Sequence, residues 1–379
     1  MAMATIFLCT MAQPGLATVS RIASLGGGGD YFEDDSNVLR WYGSLVDYPD
    51  QVVLESGKFN ISDGYWQNAG WKRSGPGFGT HLALGQEGHL GTAAFFYHDR
   101  DEASTSAISQ DMLQDNLSFL YSLDLGPLTA GVSYGYGSHD IELFNSASNL
   151  SVHTFGAGLR MDLSPSAYLD LAGEIRDINE DRHWDPNFKG TSPNNFYSYR
   201  GRAFVALGQR LALVPVVEII HEDRQQPYFS NAVHNNSLQR YGIGLNYFPD
   251  TDHLLLFNAE YVDGRRAFRT ADNTTLTDDW TALFLKAGFE SRVLSWLTTR
   301  GSIGFVDYQL VTELNSEISP PYVSDLENPI LSINLGASIH LGPADLDLSF
   351  SDRFPEARFL ARDLVEHKHW LSMTARFLF

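Results

Sequence analysis

From Gln51 onward the chain repeats one pattern: apolar residues at every second position, interleaved with glycine, small polar and occasional charged residues. The clearest stretch runs from Leu331 to Leu341. Leu331, Ile333, Leu335, Ala337, Ile339 and Leu341 share one parity; Ser332, Asn334, Gly336, Ser338 and His340 share the other. Successive strand side chains point to opposite faces, so this spacing predicts a β-strand with one apolar and one polar wall. Gly342-Pro343 turns the chain, and Ala344, Leu346, Leu348 and Phe350 return against Asp345, Asp347, Ser349 and Ser351. The same hairpin recurs around Gly126-Pro127 and around Ser164-Pro165.

Further short turns fall near residues 86–89, 209–210, 249–252 and 291–293. Long connections rich in Asn, Asp, Ser and Pro lie near 59–76, 100–115, 139–149, 179–195, 222–236, 265–279, 309–329 and 353–367. Such residues favour irregular surface chain. This rhythm predicts about sixteen antiparallel strands, with short turns at the periplasmic side and long loops outside. A soluble sandwich would carry Lys and Glu on its second face, whereas here that face is Gly, Ser, Thr and Asn. A propeller would show a blade-length repeat, and none is present. The apolar face therefore meets lipid. Lipid offers no water to an open sheet edge, so the sheet must close, its last strand pairing with the first near residues 52–58. The predicted fold is all-β: a closed antiparallel transmembrane β-barrel spanning 51–379.

Composition adjusts this picture at its edges. No apolar run approaches the 18 or so residues of a membrane helix, because Leu211–Ile220 is interrupted by Pro215 and Glu218. The formal net charge of −20 argues against a nucleic-acid partner, which needs a basic surface. One cysteine, Cys9, excludes a disulfide framework. Residues 1–20 read as a signal peptide or its remnant, lacking a positive start. Residues 21–50 fall outside the alternation. They contain Gly26-Gly27-Gly28-Gly29, continue with acidic Asp30–Asp35, and either lead into the barrel from the periplasm or plug its lumen.

Two resemblances bear on these ends. The last strand places Leu371, Met373, Ala375, Phe377 and Phe379 opposite Ser372, Thr374 and Arg376. It resembles the assembly signal of bacterial outer-membrane proteins, which end on an aromatic residue. That implies an outer-membrane location, contact with outer-membrane lipid, and recognition of Phe377 and Phe379 by the barrel assembly machinery. The glycines, Asp34-Asp35 and Asn37-Val38 resemble the N-terminal segment of the long-chain fatty-acid transporter family, without its Asn-Pro-Ala-type motif. That resemblance implies a plug containing Asp34, Asp35, Asn37, Arg40 and Trp41.

A charge on the lipid face costs about 2–4 kcal/mol at the midplane, so charged strand residues must point inward. Parity assigns Arg160, Glu174, Arg176, Arg200, Arg202, Glu218, Arg240, Glu260, Lys286, Glu290 and Arg300 to the lumen. Counting from the short turns puts Arg200, Arg202, Glu218, Lys286 and Arg300 near mid-height. Glu174, Arg176, Arg240 and Glu260 come out closer to the outer mouth. Facing Arg and Glu would form a polar constriction. The expectation is a channel passing small solutes by diffusion. The alternatives are a plugged transporter of hydrophobic substrates and a structural or adhesive barrel with a closed lumen. His367, His369 and the other rim histidines form no Ser/His/Asp spacing, so no enzyme, metal site or cofactor is expected. A homo-oligomer fits the fold, although alternation does not locate its interface.

Overall fold

The computed structural model describes residues 19–26, 29–60, 72–74, 77–85, 89–99, 115–143, 146–182, 195–226, 232–269, 274–315, 322–327, 330–355 and 369–379. The wall opens with β1 (Gln51–Asn60), β2 (Gly77–Ala83), β3 (Thr92–Asp99), β4 (Asp115–Asp124), β5 (Leu128–Leu143), β6 (Ser146–Ser164), β7 (Ala167–Arg182) and β8 (Asn195–Ala206). It continues with β9 (Leu211–Gln226), β10 (Ala232–Tyr247), β11 (His253–Arg269), β12 (Thr275–Leu294), β13 (Leu297–Asn315), β14 (Ile330–Leu341), β15 (Ala344–Pro355) and β16 (His369–Leu378). Each strand pairs antiparallel with its neighbours, and β16 closes on β1 from Gln51↔Leu378 to Gly57↔Ser372. Two short segments add to the outer ends of β1 and β13: Lys72–Ser74 and Tyr322–Glu327. The wall is a closed sixteen-stranded barrel, as the alternation predicts.

Exposure follows parity. In β9, Val214, Val216, Glu218 and Ile220 are buried, while Val217 and Ile219 lie 40 % and 43 % exposed. Around the barrel, Phe119, Phe155, Ile175, Ile243, Phe257, Leu285, Ile303 and Leu335 form an exposed outer belt. Soluble proteins rarely expose contiguous apolar surface, and a belt on alternate positions of successive strands in a closed barrel meets lipid. Ile303→Arg, close to the middle of the belt, is expected to destabilise the refolded barrel by about 2–4 kcal/mol in urea unfolding. A change within about 0.5 kcal/mol would mean that Ile303 does not face lipid.

The strands run further than their alternation. Only residues 144–145 separate β5 from β6, 227–231 separate β9 from β10, and 270–274 separate β11 from β12. Much of what reads as loop in the sequence is thus ladder. Past the lipid both faces are wet, so polar residues suit either parity while backbone pairing continues. The turn expected near 291–293 falls instead at 295–296, because a register shift between Arg292 and Leu294 lengthens β12. Pro215 faces outward in β9, and direct pairing with β8 lapses beside it, between Leu213↔Val205 and Val216↔Arg202. Proline has no N–H to give to the ladder.

Residues 19–26 and 29–50 lie inside the barrel, so the inner segment includes Val19 and Ser20 as well as the residues expected from 21 onward. It holds a short helix, α1 (Val19–Ser24), and three single 3₁₀ turns at Gly29–Tyr31, Asp35–Leu39 and Tyr42–Asp47. With no strand partner, part of its backbone is satisfied locally. The Asn37 amide donates to the carbonyls of Gly29 and Phe32, both at 2.8 Å, and Trp41 N donates to Asn37 O at 2.7 Å.

Candidate functional site

The inner wall and the inner segment meet in three clusters of paired charge. The largest is built on the second strand half. Asp30 accepts from Arg240 at 2.7 Å and from Trp41 Nε1 at 3.0 Å, and pairs with Arg40 at 3.1 Å. Glu218 receives Arg40 at 2.8 Å and Arg240 at 3.1 Å; Glu260 receives Arg240 at 2.7 Å and the Tyr31 hydroxyl at 2.8 Å. Arg202 donates to Asp170 at 2.9 Å and to the Asp30 carbonyl at 3.2 Å, and its guanidinium covers the Trp41 ring at 4.7 Å. Glu174 joins Arg176 (2.8 Å), Arg200 (3.3 Å) and the Tyr42 hydroxyl (3.1 Å).

In the second cluster Glu290 is shared by Arg21 at 2.7 Å and Arg300 at 2.5 Å, and Arg300 also reaches Asp347 at 2.9 Å. Arg21 leans towards Asp34 at 3.5 Å. The third joins Arg376 to Asp35 at 3.4 Å and to Asp345 at 2.7 Å, with Gln51 donating to Asp35 at 3.3 Å. Lys286 lies differently: its ammonium sits 5.4 Å from the Phe284 ring centre.

Burial alone would raise the Asp30 carboxyl, but Arg40, Arg240 and Arg202 outweigh it and hold the group well below the usual carboxylate range. A depressed carboxyl contributes stability that is complete above the ordinary value of about 4 and is lost only as pH falls through the lower folded value. The contribution of Asp30 to lumen closure is therefore expected to be equal at pH 8 and pH 5. The measurement is the open-probability difference between wild type and Asp30→Ala in planar bilayers; a difference that disappears by pH 5 contradicts this assignment.

Glycines shape the seat. Tyr31 lies against Gly242 and Gly244, and a Cβ at Gly244 would fall 2.7 Å from Tyr31 Cδ1. Tyr42 and Gly43 lie against Gly131, Gly156 and Gly158, and Ser24 against Gly336. Tyr31 is packed among Phe204, Val214 and Val216, which explains why β9 is apolar on both faces: one meets lipid, the other the inner segment. Beyond Glu260 the wall turns apolar, with Val262, Ala282, Phe284, Val306 and Tyr308 forming an inward cluster.

All eleven wall positions read from parity face the lumen, and the structure brings ten of them into ion pairs, Arg160 through Asp170 at 2.7 Å and Glu33 at 3.0 Å. Arg240 stands beside Glu218, which stands beside Arg200, on one rung; Glu260 follows Gly242, Val216 and Arg202 on the next. Tilted strands are staggered, so counting from a turn does not give height. Asp34, Asp35, Asn37, Arg40 and Trp41 are all in the inner segment. Arg21, Asp30, Tyr31, Tyr42, Asp170, Asp345, Asp347 and Arg376 complete the clusters. The wall members among them have the inward parity and could have been found by it; those of the inner segment follow no period.

A closed antiparallel barrel with an apolar belt and a charged interior is an outer-membrane-type β-barrel, a class that crosses the bilayer with strands. No family model matches this chain, and no curated protein matches it. Among solved structures it is similar to the CymD monoaromatic hydrocarbon channel, with a TM-score of 0.46 and 11 % identity over 97 % of this chain and 98 % of that one. The toluene transporter TodX of Pseudomonas putida gives 0.44 and 9 %, covering 95 % and 97 %. The outer membrane channel DcaP of Acinetobacter baumannii gives 0.40 and 8 %, covering 87 % and 95 %.

Proposed function

We propose that the protein is a passive outer-membrane channel for small solutes whose lumen is closed at rest by residues 19–50. The observation that carries this reading is the seat itself: Asp30, Arg40, Tyr31 and Tyr42 are matched to wall charges and wall glycines. A sixteen-stranded wall is too wide for its own side chains to fill and would leave an aqueous channel, so it is the seated segment that closes this lumen. The solute gradient drives transport, and the protein supplies the route. Refolded full-length protein should show rare, ohmic openings in planar bilayers. Permanent silence, even in variants that unseat the segment, would end the channel reading.

A second reading, a route for hydrophobic substrates as in the long-chain fatty-acid transporter family, is favoured by the inward Val262–Phe284–Tyr308 cluster. Vesicle influx of an aromatic hydrocarbon and of a sugar of similar size, each compared with Phe284→Ala, separates the two. Loss of the hydrocarbon flux alone supports the second. The C-terminal Phe377 and Phe379 lie exposed on the rim, where the barrel assembly machinery would meet them.

A further inference from the structure

The barrel closes on a short ladder. β1 pairs with β16 from Gln51↔Leu378 to Gly57↔Ser372 and with β2 from Gln51↔His81 to Glu55↔Gly77. β11 and β12, by comparison, pair from His253↔Ser291 to Arg269↔Thr275. A short ladder holds its strand with fewer backbone bonds, so it opens at a lower free energy. The polar side chains on the lumen face of this seam do not meet directly across it either. Arg376 stands opposite Val53, and Gln51 stands opposite Leu378.

The inner segment joins them. Asp35 Oδ2 accepts from Arg376 of β16 at 3.4 Å and from Gln51 of β1 at 3.3 Å. Arg376 reaches on to Asp345 of β15 at 2.7 Å. On the other side, His81 Nδ1 of β2 lies 3.1 Å from Gln51 Nε2 and 2.8 Å from the Tyr48 carbonyl. Four successive strands, β15, β16, β1 and β2, are therefore linked through one carboxyl oxygen of the inner segment. Asp35, Gln51, His81, Arg376 and Asp345 are each at most 4 % exposed, and a polar group so buried is costly to leave without its partner. Burial pushes the Asp35 carboxyl up, with Arg376 opposing it and Asp34 adding to it. Oδ2 accepts both bonds in either form, since a proton can reside on Oδ1.

We propose that the inner segment is also a strap across the closing seam, and that Asp35 is the residue that ties β16 to β1. The ladder and the two Asp50 contacts, with Phe379 N and Ala83 N, hold the seam shut without it; the strap sets how often the seam opens. The seam is then weakest whenever the segment is unseated, so occupancy of the lumen and integrity of the wall are coupled. The strap does not depend on which solute passes.

The test is amide hydrogen exchange of the full-length refolded protein in detergent micelles, read by mass spectrometry. A ladder amide exchanges when its pair opens, so the rate reports opening of the seam. In Asp35→Ala, the amides of 51–57 and 372–378 that bond across the seam should exchange about tenfold faster than in wild type, the effect of losing two long hydrogen bonds to one group. Those of β11 and β12 should keep their wild-type rates. Ser20→Ala is the control. Ser20 Oγ meets Ser372 Oγ at 3.1 Å and Thr374 Oγ1 at 3.0 Å, both on one side of the seam, so its loss should leave seam exchange unchanged. Where Asp35→Ala does not fold, Gln51→Ala cuts the strap from β1 and carries the same expectation at 372–378. Unchanged seam exchange, equal acceleration in β11 and β12, or the same acceleration in Ser20→Ala would overturn the strap. Exchange is read without conductance, so failure of the channel reading leaves the result interpretable.

Discussion

Deleting residues 19–48 should convert rare openings into a continuously conducting pore. The barrel closes through β1 and β16, which do not include the deleted residues, and Asp50 remains to receive Phe379 N at 3.2 Å and Ala83 N at 2.9 Å. Wall charges that lose their partners gain water instead, because emptying the lumen hydrates them. If the seated segment leaves the pore open about 1 % of the time, its removal raises mean conductance roughly a hundredfold. Single-channel recording checks this. Unchanged conductance in a barrel of native heat-modifiable mobility would show that the segment does not obstruct the route.

Asp30→Ala is the point substitution with the largest expected effect. It leaves Arg40, Arg202 and Arg240 around a site that is 2 % exposed, with Glu218 and Glu260 as the counter-charges of Arg40 and Arg240, and Asp170 and Glu33 as those of Arg202. Breaking a buried pair from one side costs about 3–5 kcal/mol. Unseating the segment relieves that cost, so the closed-to-open equilibrium constant should shift by about two to three orders of magnitude, and from a resting open fraction of about 1 % the pore becomes open at least about half of the time. Adding Arg40→Ala removes one of the stranded charges and should reverse part of the rise. A double variant that simply adds two independent losses would show that Asp30 acts through packing with Trp41 rather than through charge.

The wall was legible because lipid imposes it residue by residue. A strand such as Leu331–Leu341 must show apolar side chains on alternate positions, and that local rule exposes strand number, closure and the inward parity of Arg240 or Glu290. The polar parity was harder to interpret. Gly242, Gly244 and Gly336 look alike whether they face water or receive Tyr31 and Ser24, because both situations ask for a small residue. Polar strand extensions such as the end of β5 looked like loops, since a hydrogen-bonded ladder in water leaves no periodic mark.

By itself, then, the sequence determined a closed barrel of about sixteen strands, which wall positions face lipid, and which charges point inward. The reason is that alternation is a local property of the extended backbone beside an apolar solvent. Only the tertiary structure decided that the inward charges are matched to the chain's own N-terminal segment. Asp30 and Arg240 stand 210 residues apart, and an ion pair across that distance obeys no period. It exists because barrel closure brings the two groups together inside a lumen where an unpartnered charge is costly.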